Sequence, residues 1–483
     1  MTRMTKRPVN GPVPGEVLNR LAAVVGDAYA IRDAGAMEPY LREMRDIYVG
    51  RAGMVLRPAN TEEVSGILKI ASETGTAIVP QGGNTGLVGG QIPFDTGNEV
   101  IVSLTRMNRI RETDVAGETM TVEAGVTLQQ AREAAEEADK LFPLSLPSEG
   151  SCQIGGNLAT NAGGAAMLAY GNARDMVLGL EVVLADGQVW DGLRALRKDN
   201  TGYHLKDIFI GSEGTLGIIT AAVLKLFPRP REQATAFAGF RDIAQCAELF
   251  AIARGRAGME LTSFEILPRI GIDMVLRHGD NVRDPLAEAF PWYALIEISG
   301  HKGGGEASDA MEAILSEALE RQVIADAALA ASLAQSRDFW RIRELMSEVQ
   351  RLEGGSIKHD VSVPLSRIPE FVTRASELAV KLVPGSRPVP FGHFGDGNVH
   401  FNVSQGPGMD KAEFMAQWER VTGAVHDLVT EMNGSISAEH GIGRMKRDLM
   451  ARTKSPVEMD LQRRLKSALD PRGILNPDKV LAR

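Results

Sequence analysis

The chain has 483 residues, 44% hydrophobic and 24% charged, values that suit two or three folded domains and exclude wholesale disorder and fibrous repeats. A formal charge of −9 leaves no net basic surface for a phosphate backbone, so nucleic acid is excluded as the main partner. Cys152 and Cys246 cannot build a disulfide framework, no apolar run nears the ~20 residues of a spanning helix, and the basic residues 1–15 lack a secretory apolar core; the expectation is a soluble protein of a reducing compartment, most simply the cytoplasm.

In chain order, residues 14–46 read as helices, with Leu18, Leu21, Ala22 and Val25 at helical spacing. A strand is expected at 54–58. A helix follows to Ala71, with Thr61 as cap and Glu62 and Glu63 in the first turn. Further strands fall at 77–80, 100–103, 119–123, 179–184 and 217–225, with a helix over 127–140. Pro228 and Pro230 break either regular structure and mark a boundary. Beyond them, helices at 243–257, 307–320 and 337–351 alternate with strands such as 293–299. A helical tail spans 445–469. The absence of strict strand–helix–strand rhythm favours an α+β fold. The expected organisation is a helical segment 1–52, a domain 53–230, a domain 231–443 and a helical segment 444–483.

Glycine is in excess, 51 of 483 against an average of ~7%, and three segments carry it. The first is Pro80, Gln81, Gly82, Gly83, Asn84, Thr85 and Gly86, continuing to Gly90. The second runs from Pro147 through Gly150, Ser151, Gly155, Gly156, Asn157, Thr160, Asn161 and Gly163 to Gly164. The third holds Gly211, Gly214, Gly217 and Ile218. None matches the phosphate loop G-x-x-x-x-G-K-[ST] or the G-x-G-x-x-G fingerprint. Each alone could be a turn between strands. Three together offer backbone N–H groups, unobstructed by Cβ atoms, to an anionic ligand such as a pyrophosphate with a planar ring.

These segments resemble the FAD-binding half of the vanillyl-alcohol-oxidase-type flavoproteins. The resemblance implies a two-subdomain FAD-binding domain, an α+β substrate or cap domain and a helical C-terminal tail that returns to the FAD domain. The residues named above, Pro80 to Gly86, Gly150 to Gly163, Gly214 and Ile218, would then be the cofactor contacts. No histidine precedes His204, so histidyl attachment of flavin in this half is not expected and the FAD is non-covalent.

Three of the eight histidines sit in two motifs of the second half. Residues 390–403 place His393 and His400 on either side of a Gly-Asp-Gly-Asn turn, which reads as a hairpin folding the two imidazoles together. Residues 436–443 read as a short strand into a glycine turn and carry Glu439 beside His440. Two imidazoles and a carboxylate form an open ligand set for zinc, manganese, iron or cobalt. The alternative is a pair of hydrogen-bonded hairpin histidines.

The order of these motifs resembles the FAD-linked D-2-hydroxyacid dehydrogenases, from about Gly53 to Leu481. In the branch that acts on D-2-hydroxyglutarate, the resemblance assigns His393, His400 and Glu439 to zinc or another divalent metal. It assigns His440 to the base and to substrate contact. Residues 340–344 and 358–364 resemble substrate-pocket segments, so Arg343 and Lys358 become carboxylate partners. Ser347 stands where that branch has threonine, keeping the hydroxyl without the methyl. Asn402 and Asn476 are further expected substrate or flavin contacts. The implied reaction is oxidation of a D-2-hydroxyacid, a dicarboxylate favoured by the second cation, with hydride passed to flavin. D-lactate or glycolate oxidation is the alternative within the class, and a non-catalytic metal-binding scaffold outside it. Expected partners are the small hydroxyacid and an electron acceptor such as electron-transfer flavoprotein or a quinone. A homodimer is the commonest assembly for such a chain.

Overall fold

The computed structural model describes residues 11–482; the first ten residues of the expected 1–52 segment, and Arg483, lie outside them. The chain divides into two compact units. One runs up to Gly164, takes in Asn172–Pro228, and resumes from Glu439 onward. The other comprises Arg229–Ala438 and the short segment Ala165–Gly171.

The first unit is built on two sheets. Strands Ala30–Ile31, Met54–Leu56, Glu99–Ser103 and Ala77–Gln81 lie side by side in that order, the last three parallel. Met54, Val55, Leu56, Ile78, Val79, Val100, Ile101 and Val102 are all buried, the near-continuous apolar run of strands covered on both faces. A five-stranded antiparallel sheet has the order Ile110–Asp114, Thr119–Glu123, Ile218–Lys225, Val177–Val183, Val189–Gly192. Helix Thr61–Thr74 presents Val64, Ile67, Leu68 and Ala71 to a core shared with both sheets. Its cap is Asn60, whose side chain accepts from the Glu63 N–H at 2.8 Å, so Thr61 is the first helical residue and not the cap. The C-terminal tail is stitched to an edge of the first sheet: the Ile78 N–H donates to Ile474 O, and Asn476 N–H to Ile78 O, both at 2.8 Å.

The second unit is an antiparallel sheet ordered Asp326–Leu329, Glu232–Phe240, Trp292–Gly300, Leu261–Pro268, Arg387–His393, Asn398–Ser404, Ser356–Ile357, with Asp360–Ser362 also paired to Asn398–Ser404. Alternation splits its side chains between two cores. Ala236, Ile266, Ile296, Val399, Phe401 and Val403 face helices Gln245–Ala257, Glu306–Glu320, Ile368–Leu382 and Trp418–Glu431. Phe237, Leu267, Leu295, Val389 and Phe391 face helices Arg269–His278 and Leu333–Val349.

Several expected elements differ. The 14–46 stretch is helix Gly15–Val25, a short strand and helix Ala34–Leu41, followed by coil. The tail is two helices, Arg447–Thr453 and Pro456–Leu469, because Ser455 starts a new helix with a capping box to Glu458. The strand expected within 436–443 is absent: after one bridge between Ser362 and Ser435 the backbone leaves the sheet, with Gly441 and Gly443 at positive φ.

Phe401 is fully buried, 5.7 Å between ring centroids from Phe371. Phe401→Ala is expected to cost about 3–5 kcal/mol, read as a lower denaturation midpoint for the second unit.

Candidate functional site

In the first unit the three glycine segments meet. A Cβ on Gly83 would stand 1.8 Å from the Ser151 carbonyl oxygen, so the first segment can cross the second only where the side chain is a hydrogen. A Cβ on Gly82 would lie 3.8 Å from Gly156 Cα, and one on Gly214 would touch Pro80 at 2.9 Å. Gly155 packs on Ala124, whereas a Cβ on Gly156 would meet nothing within 4 Å. That pairing is what a cradle needs, one glycine for close packing and the next opening on space. Gln81 is spent on structure, its Nε2 donating to Tyr40 O and Gln91 O. Asn84 likewise ties the first segment to Pro39 O and Arg42 O. Thr85 follows it, and Gly86 is held by Gln91 Nε2 on its carbonyl at 2.8 Å. Gly150, Ser151 and Asn157 lie at or near the entry to helix Ile154–Thr160, Asn161 ends it, and Ile218 opens a buried strand. Thr160 returns its hydroxyl to Gly156 O.

Three buried amide oxygens around these segments lack a hydrogen-bond partner: Asn84 Oδ1, Gln153 Oε1 and Asn476 Oδ1. Buried acceptors without donors are costly, and a flavin ring system and its ribityl chain carry donors that suit them. The cradle and this acceptor set fit FAD. Asn476 also ties the segments together: its Nδ2 donates to Gly90 O at 3.0 Å and Glu213 O at 2.8 Å, joining the first and third.

The same unit holds the turn that carries Glu439 and His440. The N–H groups of Ile442 and Gly443 donate to the two oxygens of Glu213 at 2.7 and 2.8 Å. Gly441, at φ +81°, lies so close that a Cβ would reach Glu213 Oε1 at 2.9 Å. Burial pushes the Glu213 carboxyl up to about 7, against the lowering by the two backbone donors and Lys446. Gly163 leaves room for Glu439, whose Oε2 would stand 3.4 Å from a Cβ there. His440 Nε2 is 3.6 Å from Glu439 Oε1. The turn is therefore pinned to the second and third glycine segments.

In the second unit, strand register builds a polar face among apolar neighbours. Phe391 stands opposite His400, Val389 opposite Asn402, Asp360 opposite His400, and Glu265 opposite His393. The expected hairpin is present, with a 3₁₀ turn at Phe394–Asp396 and Gly397 closing it. His393 and His400 do come together: ring centroids are 5.5 Å apart, and a nitrogen of each lies within 4.8 Å of the other. Arg343 is buried, its Nε donating to Glu265 Oε2 at 2.5 Å. His393 Nδ1 meets Glu265 Oε1 at 2.6 Å. Burial alone would raise the Glu265 carboxyl, but His393 and Arg343 outweigh it and hold it at about 2. Lys358 Nζ donates to Ser347 O at 3.0 Å, both residues exposed. Asn402 is buried with Nδ2 on Gln350 Oε1 at 3.0 Å.

Sequence reasoning passed over Gln153, Glu213 and Glu265. The first two lie inside glycine segments whose small residues drew the attention. Glu265 had one available signal, a charge at an alternating position of an apolar strand.

Residues 229–480 match the family of FAD linked oxidases, C-terminal domain, and residues 52–192 match the FAD binding domain family. The chain is 38% identical over 477 residues to the mitochondrial D-2-hydroxyglutarate dehydrogenase of Arabidopsis thaliana, covering 99% of this chain and 83% of that one. It is 40% identical over 449 residues to the mitochondrial D-2-hydroxyglutarate dehydrogenase of Rattus norvegicus, covering 92% and 80%. The fold is that of p-cresol methylhydroxylase, at a TM-score of 0.78 and 19% identity over 98% of both chains. The expected cytoplasmic location is corrected by these relatives, which are mitochondrial enzymes; cysteine usage reports a reducing compartment and does not separate one such compartment from another.

Gly83→Ala is expected to yield protein without flavin or with a sharply lowered melting temperature, measured by absorbance and thermal melts. Glu213 has its folded pKa raised from 4.5 to about 7, so its favourable contribution is complete below 4.5 and is lost as pH rises through 7. Relative to Glu213→Gln, the wild type should lose up to roughly 3 kcal/mol across that window; a difference in unfolding free energy that is flat with pH would contradict this.

Proposed function

The chain belongs to the FAD-linked oxidases and is an FAD-dependent dehydrogenase, and on that premise we propose that it oxidises D-2-hydroxyglutarate to the 2-oxoacid with a divalent metal ion held by His393, His400 and Glu439. The observation that carries the reading is the pairing of His393 and His400 across the hairpin, with ring centroids 5.5 Å apart and a nitrogen of each within 4.8 Å of the other. The Glu439 carboxylate, the third proposed ligand, packs over Gly163 of the glycine segments.

The donor set supports a metal: two imidazoles and one carboxylate leave positions for substrate oxygens, and borderline N/O donors suit zinc and its neighbours. Bound there, the ion would supply Lewis acidity to the substrate hydroxyl, and FAD would supply the hydride acceptor. The chain's own groups do the remaining work. His440 takes the hydroxyl proton as general base, oriented beside Glu439. Arg343 binds a substrate carboxylate through its Nη nitrogens, because its Nε is committed to Glu265. Lys358, next to Ser347, provides the second cation that a dicarboxylate needs and a monocarboxylate such as D-lactate does not. Asn402 contributes its amide on the face of the strand that also presents His400.

With an artificial electron acceptor, D-2-hydroxyglutarate should exceed D-lactate in kcat/KM by about 10–100-fold, the worth of one charge-assisted hydrogen bond. Lys358→Met should erase most of that preference, and equal use of both acids by the wild type would overturn the dicarboxylate assignment. His440→Ala should retain FAD and lose about 10²–10⁴ in kcat; a loss of only a few-fold would mean another base.

A further inference from the structure

We infer that Glu265 is a positioning residue that sets two functional groups at once, the tautomer and direction of the metal ligand His393 and the orientation of the substrate-binding Arg343. The inference rests on the metal and substrate roles proposed above for those two residues.

Glu265 sits in the middle of strand Leu261–Pro268 and is 1% exposed. Both carboxylate oxygens are engaged, Oε1 by His393 Nδ1 at 2.6 Å and Oε2 by Arg343 Nε at 2.5 Å. The backbone enforces the first contact, since Glu265 and His393 are direct cross-strand partners. The second comes from helix Leu333–Val349, which packs on the same face of the sheet.

A carboxylate accepts only, so the nitrogen facing it must carry the proton. In a neutral imidazole that leaves the Nε2 lone pair as the ligand atom, and the hydrogen bond raises its basicity. Arg343 is fixed on the other side: Nη2 lies 3.4 Å from His393 Nε2, and the guanidinium carbon stands 5.0 Å from the Phe391 ring centre. With Nε spent, only the outer nitrogens remain to meet a substrate carboxylate. One side chain therefore sets the separation between the ion's ligand and the carboxylate-binding nitrogens, the separation that a hydroxyl and a carboxylate on one small substrate require. Stability is a poor account of this arrangement, because a buried ion pair seldom outperforms packed apolar side chains of similar volume.

The test measures Zn2+ affinity by competition with a chromophoric chelator, independently of turnover, and uses FAD content and thermal melts to confirm folding. Glu265→Gln should weaken Zn2+ binding 10–100-fold. Arg343→Gln should leave Zn2+ affinity within about threefold while raising KM for D-2-hydroxyglutarate, because the Glu265–His393 bond survives. Should Glu265→Gln fail to fold around a bared arginine charge, Glu265→Gln/Arg343→Gln removes both charges and should show the same loss. Full affinity in the double variant, with metal binding lost in His393→Ala, would overturn the positioning role and leave the metal site standing. Unchanged Zn2+ affinity in His393→Ala would overturn the metal site, and this inference with it.

Discussion

Strand register is the constraint on which the second unit depends. Glu265 opposite His393, Phe391 opposite His400 and Asp360 opposite His400 place Glu265, His393, His400 and Asp360 on one face of the sheet, while Val399, Phe401 and Val403 fill the core behind it. Side chains alternate strictly along a strand, so a one-residue slip would drive both imidazoles into the apolar core and expose three large hydrophobes. The energy of that core therefore fixes the chemistry on the opposite face. Burial also decides how the polar groups behave: Glu265 stays ionised because His393 and Arg343 compensate a desolvation that would otherwise neutralise it.

The first unit solves a different problem, bringing three backbone segments into close contact. Gly83 under Ser151, Gly214 on Pro80 and Gly441 against Glu213 are sites where a methyl group would displace backbone, a proline ring or a half-buried carboxylate. Asn476 and Glu213 then act as ties, each bonding two parts of the chain more than 200 residues apart in sequence. Desolvation raises the Glu213 carboxyl even though two backbone donors and Lys446 pull it down. What the unit gains is a fixed backbone for the Glu439–His440 turn beside the glycine segments. The flavin cradle and the residue proposed as general base thus belong to one packed body.

The two families of contacts divide the work. Around the glycine segments, recognition is mostly main chain, so residue identity matters where a side chain must be absent. Around the histidine hairpin it is side chain, so identity matters where a donor or acceptor must be present. Polar networks that are fully paired, as at Glu265, hold a single geometry, whereas the partnerless oxygens of Asn84, Gln153 and Asn476 offer acceptors to a ligand.

Local pattern determined much of this protein. The glycine segments, the hairpin around Gly397 and the apolar strands of both sheets follow from rules that act over a few neighbouring residues, and so were legible from sequence. The resemblance of the motif order supplied the flavin fold and the family. What sequence alone misjudged or missed depends on distant partners. The 436–443 stretch has strand-like residues but leaves the sheet after the bridge at Ser435, Arg343 looks like one charge among many until Glu265 is found 78 residues earlier, and Glu213 is one acid in a loop until Ile442 and Gly443 close on it. Only tertiary structure decides such cases, because a buried charge is set by the groups that desolvate and pair it, and those are chosen by the fold and not by sequence neighbours.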